Sequence, residues 1–206
     1  MQLIKDMEFG GERPLFGSRD LHLDHVTVRA GESAIKECSN IIATNCRFEG
    51  NYPFWHVHGF VIDRCFFDVG GRSALWYSDH LKMTDTRIDA PKMFREMTDI
   101  EIENVEINDA DEVFWRCNRL DIKNLKLHDG RYPFMFSRNI RIDGLESDSK
   151  YVFQYVKQAV FRCFCEKSIY KNESAPNEKS ITGEHFFVWR RFVYHSPVIN
   201  FKSLTL

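Results

Sequence analysis

Apolar and polar residues alternate along most of this chain with a period of two, and the alternating runs recur at a fixed interval. The segments LHLDHVTV from Leu21, IIATNCRF from Ile41, FVIDRCFF from Phe60 and LKMTDTRI from Leu81 share apolar residues at their first, third and eighth positions. They continue as IEIENVEI from Ile100, LDIKNLKL from Leu120, IRIDGLES from Ile140 and AVFRCFCE from Ala159, with starts 19 to 21 residues apart. A second apolar column lies six residues before each start: Leu15, Ile35, Phe54, Leu75, Phe94, Phe114, Phe134 and Phe153. Three residues further on come small or apolar residues: Ser18, Cys38, Val57, Ser78, Met97, Cys117, Ser137 and Val156. Both columns are expected to face inward.

Each period therefore holds two short alternating strands joined by a polar bend, a loop such as EGNY or HDGR, and a third strand. Alternation rich in Val, Ile and Phe argues for β-structure, and no period contains a helical pattern of useful length. The prediction is an all-β solenoid, a single-stranded right-handed parallel β-helix of about seven to eight coils over residues 1–165. A leucine-rich repeat has a similar period, but its L-x-x-L-x-L-x-x-N signature is missing. The bend column reads His25, Asn45, Arg64, Asp85, Asn104, Asn124 and Gly144. Asn and Gly tolerate a left-handed backbone, so a tight bend accounts for them without any catalytic role.

The bend asparagines and three-strand coils resemble β-helices of the pectin lyase-like kind. More closely, FGGERPLF, SAIKECSNI, YPFWH, ALWYS and YVFQYV, in that order, resemble an uncharacterised bacterial family known as domain of unknown function 3737. The resemblance covers about residues 5–160 and implies a fold; it carries no assigned activity. Members tend to continue the coils, whereas here the cadence fades after Cys163. Residues 166–206 are expected to form an irregular tail, read either as a cap over the last coil or as the product of a shifted reading frame.

Between the two inward columns run two positions of mixed character. One reads Phe16, Lys36, Trp55, Trp76, Arg95, Trp115, Met135 and Gln154; the next reads Gly17, Glu37, His56, Tyr77, Glu96, Arg116, Phe136 and Tyr155. Their charges make burial of either column costly, so both are expected to be at least partly exposed, with a bend in the strand. Coils stack about 4.8 Å apart, which makes Trp55 and Trp76 neighbours. A ligand-binding stripe follows as a hypothesis, built on Lys36, Glu37, Trp55, His56, Trp76, Tyr77, Arg95, Glu96, Trp115, Arg116 and Tyr155. Aromatic rings would stack on sugars and the cations would attract carboxylates or sulfates. The rival reading is a ladder that stabilises the solenoid and binds nothing.

Two carboxyl groups of a glycoside hydrolase stand about 5 to 9.5 Å apart, whereas Glu37 and Glu96 are three coils, about 14 Å, from each other. The leading functional expectation is thus a non-catalytic binding or scaffold protein holding an extended ligand, carbohydrate or protein. The alternative is a polysaccharide lyase or epimerase acting on acidic sugars, with His56 or Tyr77 exchanging protons and Arg95 or Arg116 neutralising a uronate. His56 and His58, with Asp79 and His80 one coil on, offer imidazoles and a carboxylate, but polar turn residues explain them better than zinc. The acidic NDADE segment, 108–112, lacks the spacing of a calcium loop. No metal or cofactor is implied.

Twenty-eight Lys and Arg against thirty Asp and Glu give a net charge of -2, no footprint for nucleic acid. The first residues contain no apolar run of signal-peptide length and no segment approaches a membrane span, so a cytoplasmic protein is expected. Six cysteines without paired spacing read as packed thiols. An open N-terminal edge predicts some self-association.

Overall fold

The computed structural model describes residues 1–164 and 184–189. It is a parallel β-solenoid of about eight turns. On the first face, strands Arg19–Asp24, Ser39–Thr44, His58–Asp63 and Asp79–Thr84 stack in parallel register, so that Leu21, Ile41, Phe60 and Leu81 lie one above another. The second face begins after the bend, with Thr27–Glu32, Arg47–Phe48, Phe66–Phe67 and Arg87–Ile88. In Thr98–Ile107, Asn118–Leu127 and Arg138–Ser147 a single strand runs through the bend and serves both faces, which merges them into one 15-stranded sheet. The third face is a narrow ladder of Phe54–Trp55 on Leu75–Trp76, continued by single bridges to Arg95 and Trp115. The last described coil, Lys157–Phe164, is paired antiparallel with Glu184–Trp189. The rest of the expected tail lies outside the described residues. No described helix is long and apolar enough to cross a membrane.

The corners are made by single residues in the left-handed region. The bend column does this throughout, from His25 (φ 53) and Asn45 (φ 55) through Arg64 (φ 49) to Gly144 (φ 85). Such a conformation costs a residue with a Cβ roughly 1–2 kcal/mol. It is offset by axial hydrogen bonds: the corner N–H of His25 donates to the Thr44 carbonyl (3.1 Å) and that of Asn45 to the Asp63 carbonyl (3.0 Å). Asparagine adds a side-chain rung, since Asn124 Nδ2 donates to Asn104 Oδ1 and Asn104 Nδ2 to Asp85 Oδ1, each at 3.0 Å. One coil further on the corner is a glycine, Gly144, where a Cβ would stand 2.8 Å from Asn124 Oδ1, so that a larger residue requires that amide to move.

Turning the chain at a corner aims the next N–H into the core, where it needs an acceptor. Small inward side chains of the next coil supply it. Ser78 Oγ accepts from the Val57 N–H (2.9 Å), Ser137 Oγ from Cys117 (2.8 Å), Thr86 Oγ1 from Cys65 (3.3 Å) and Cys65 Sγ from Cys46 (3.4 Å). Ser78 and Ser137 of the small-residue column, and Cys65 and Thr86 of the inward column after the bend, thus plug gaps in the backbone ladder. Beside it, the apolar column forms a buried ring stack: Phe94 on Phe114 at 4.4 Å, Phe114 on Phe134 at 4.7 Å, and Phe134 on Phe153 at 4.8 Å. Stacked pairs contribute about 0.5–1.5 kcal/mol beyond the area they bury.

Phe114→Ala removes a ring held on both faces and should lower stability by about 3–5 kcal/mol in urea unfolding. The thiols provide a second check. Cys38, Cys46, Cys65 and Cys117 are free and buried. Burial pushes Cys117 up to about 12 and also raises Cys38, while contact with Cys46 and then burial raise Cys65. In a variant with Cys163 and Cys165 replaced by Ser, these four should react with a thiol reagent only after denaturant is added.

Candidate functional site

The stripe predicted from sequence exists as a stacked column. Its outer positions are another set of left-handed corners, Glu37, His56, Tyr77, Glu96, Arg116, Phe136 and Tyr155, with φ between 52 and 62. This corner breaks the alternation and turns two consecutive side chains outward, the inner one half-buried and the outer one mostly exposed. Trp55 and Trp76 stack at 5.3 Å with planes 11° apart. Lys36 covers the other face of Trp55 at 5.4 Å, and Arg95 lies between Trp76 (4.6 Å) and Trp115 (5.2 Å). The indole N–H groups of Trp55 and Trp76 donate to the carbonyls of Ser73 and Lys92, both at 2.7 Å.

This packing decides what the stripe can offer chemically. A sugar stacks on the face of an aromatic ring, and the faces of Trp55 and Trp76 are already covered by each other and by Lys36 and Arg95. Edges remain, together with the outer column. Nor are the cations idle: Arg95 donates to Glu112 Oε2 at 2.8 Å, and Arg116 sits 3.9 Å from Glu96. His56 packs against Tyr77 at 5.3 Å, two coils away from Arg95 in the stack. At the standard coil spacing His56 therefore stands about 10 Å from Arg95 and about 14 Å from Arg116, whereas Tyr77 lies one coil, about 4.8 Å, from Arg95.

A long, open concavity lies on the first face. A groove of about 1160 Å3 runs along the solenoid axis past seven consecutive coils, from Ser39 to Val160. One wall is a further column of left-handed corners, Asn40, Gly59, His80, Asp99, Arg119, Asn139 and Gln158. The other is the outward position of each strand, apolar at the ends (Ile42, Val61, Val160) and charged in the middle (Lys82, Glu101, Asp121, Arg141). These four charges occupy consecutive rungs of the ladder, yet among the described residues no ion pair holds any of them. At the exposed surface such a pair is worth little.

The wall carries a network that crosses four coils. His58 Nδ1 and His80 Nδ1 both reach the Asp79 carboxylate at 2.7 Å, His80 Nε2 lies 3.6 Å from Asp99, and Arg119 donates to Asp99 through two bonds of 2.5 and 2.6 Å. Partial burial alone would raise Asp79, but the bonds from His80 and His58 outweigh it and hold it below the usual carboxylate range. Arg119 lowers Asp99 in the same way, and the bond to Asp79 raises His80. The sequence reading placed His56 with this group; the structure puts His56 on the stripe and brings only His58, Asp79 and His80 together. Among the described residues no set of three or more His, Cys, Asp or Glu side chains is arranged to hold a metal ion.

A solenoid of stacked coils with an axial groove defines a class of parallel β-helix proteins. Within it, this chain belongs to the DUF3737 family, proteins of unknown function, whose sequence profile matches residues 2–174. No curated protein and no solved structure matches the chain.

The network sets a pH dependence. The folded state favours protonated His80, so that contribution is complete below the ordinary imidazole pKa of about 6.5 and fades as pH rises through the higher folded value. Asp79 and Asp99 behave oppositely, adding stability above about pH 3.9 that is lost on acidification. Thermal unfolding should show a small loss of stability between pH 6 and 8 that His80→Gln removes.

Proposed function

We propose that the protein is a binding β-helix that holds an extended carbohydrate along the groove of its first face. One observation carries this reading: the groove continues past seven coils, so that its walls repeat the same positions at about 4.8 Å over a length of roughly 29 Å. A ligand lying there meets a row of equivalent side chains, which suits a polymer of similar units. The unpaired charged groups of the outward wall supply the hydrogen bonds a polyhydroxylated chain needs, while Ile42 and Val61 offer apolar surface to its less polar faces. Lys82 and Arg141, unpaired and about 14 Å apart at the two ends of the charged run, offer cations to acidic units, while Glu101 and Asp121 between them accept from hydroxyl groups. The outer stripe column, with Arg116, Phe136 and Tyr155, supplies a secondary edge for contact.

Isothermal titration with size-graded acidic and neutral oligosaccharides tests this. Affinity should rise with oligomer length up to the span of the groove, and the double substitution Lys82→Ala, Arg141→Ala should weaken acidic oligomers about tenfold or more. Absence of saturable binding by any of them at millimolar concentration overturns the reading.

A further inference from the structure

One column of the first face lies immediately upstream of the left-handed corner, and it reads Arg19, Ser39, His58, Asp79, Thr98. In the parallel ladder Ser39 is the register partner of His58, and His58 is the register partner of Asp79. A hydroxyl, an imidazole and a carboxylate thus occupy three consecutive rungs in the order that acyl transfer uses. Asp79 Oδ2 accepts from His58 Nδ1 at 2.7 Å, so that in the neutral imidazole the lone pair stands on Nε2. Among the described residues the Ser39 hydroxyl has no hydrogen-bond partner, so nothing else claims it. Ser39 and His58 both line the groove, and the Asp79 side chain on the next rung is only 26% exposed.

We propose that Ser39, His58 and Asp79 form a serine acyl-transfer triad that hydrolyses an ester carried by the ligand of the groove. Three features of the surroundings fit that role. The corner next to His58 is Gly59, where an added Cβ would meet no atom within 4 Å, so the wall beside Ser39 and His58 is open to an incoming acyl group. Asn40, directly after the nucleophile, gives one amide hydrogen to Asp20 Oδ1 at 2.5 Å and keeps a second for a developing oxyanion. The second imidazole on Asp79, His80, keeps that carboxylate ionised and in place.

The reaction balances with water as the only co-substrate. Ser39 Oγ attacks the acyl carbon while its proton passes to His58 Nε2. The carbon–oxygen bond to the alcohol breaks, and His58 returns the proton to the leaving alkoxide. Water then attacks the acyl-Ser39 ester, again giving its proton to His58, and the carboxylic acid departs as Ser39 Oγ is reprotonated. Parallel rungs lie about 4.8 Å apart; no side-chain hydrogen bond joins Ser39 to His58 in this structure, and the mechanism requires the two side chains to close to contact in the substrate complex. The substrate class is an O-acylated, extended polyhydroxylated polymer; the acyl chemistry rests on the groove reading only for that polymer, not for the triad.

The test uses the full chain, a fluorophosphonate probe and p-nitrophenyl acetate. Wild type should gain one covalent adduct, mapped to Ser39 by peptide mass spectrometry, and should release p-nitrophenol. Ser39→Ala should abolish both, His58→Gln should slow them at least 100-fold, and Asp79→Asn should slow them while leaving Ser39 as the labelled residue. Circular dichroism melts of each variant separate loss of chemistry from loss of fold. No adduct on wild type, an adduct at another residue, or equal labelling of a folded His58→Gln protein overturns the triad. Since the probe is small, labelling without oligosaccharide binding would reject the carbohydrate reading alone, and binding without labelling would reject the triad alone.

Discussion

Every coil of this protein turns on single residues held in the left-handed region, and the rest of the structure follows from that constraint. A turn made by one residue is short enough to be repeated each coil, but it is strained for residues other than glycine. Axial hydrogen bonds from the corner N–H to the coil above stabilise it, which forces adjacent coils into strict register. Strict register in turn stacks like on like: phenylalanine on phenylalanine in the core, asparagine on asparagine at the bend, tryptophan on tryptophan at the third face. The same corner aims a backbone donor inward at each turn, and this explains why Ser, Cys and Thr recur among the apolar residues at the inward positions that follow a corner.

Much of the fold was legible in the sequence because the core obeys two simple periods. Leu21, Ile41, Phe60 and Leu81 mark one inward position of the strand, and the column from Leu15 to Phe153 marks the third side. The bend asparagines were equally readable, since few residues favour that backbone. Corners filled by Arg64, His25 or Phe114 were not, because register imposes the conformation there against the residue's own preference.

The stripe was visible as a column, but not the direction its rings face. Sequence spacing makes Trp55 and Trp76 neighbours; it does not say that their neighbours Lys36 and Arg95 close the remaining faces. The groove was harder still. Its walls are columns without a shared residue type, and Ser39, His58 and Asp79 are separated by 19 and 21 residues. They align only when the repeat is read two positions upstream of its apolar anchor, at sites where no hydrophobic pattern directs attention.

The orientation of the ladder also gives the molecule a mechanical grain. Its interstrand bonds run along the solenoid axis, so tension applied there loads each rung in series with the next and concentrates failure at whichever rung is weakest. Force across the axis instead meets covalent backbone along the strands of each face. A load along the axis would therefore release the chain in steps of one coil, 19 to 21 residues at a time, each adding roughly 60–75 Å of extended length. The axis is the direction in which this protein yields, and the strands are the direction in which it holds.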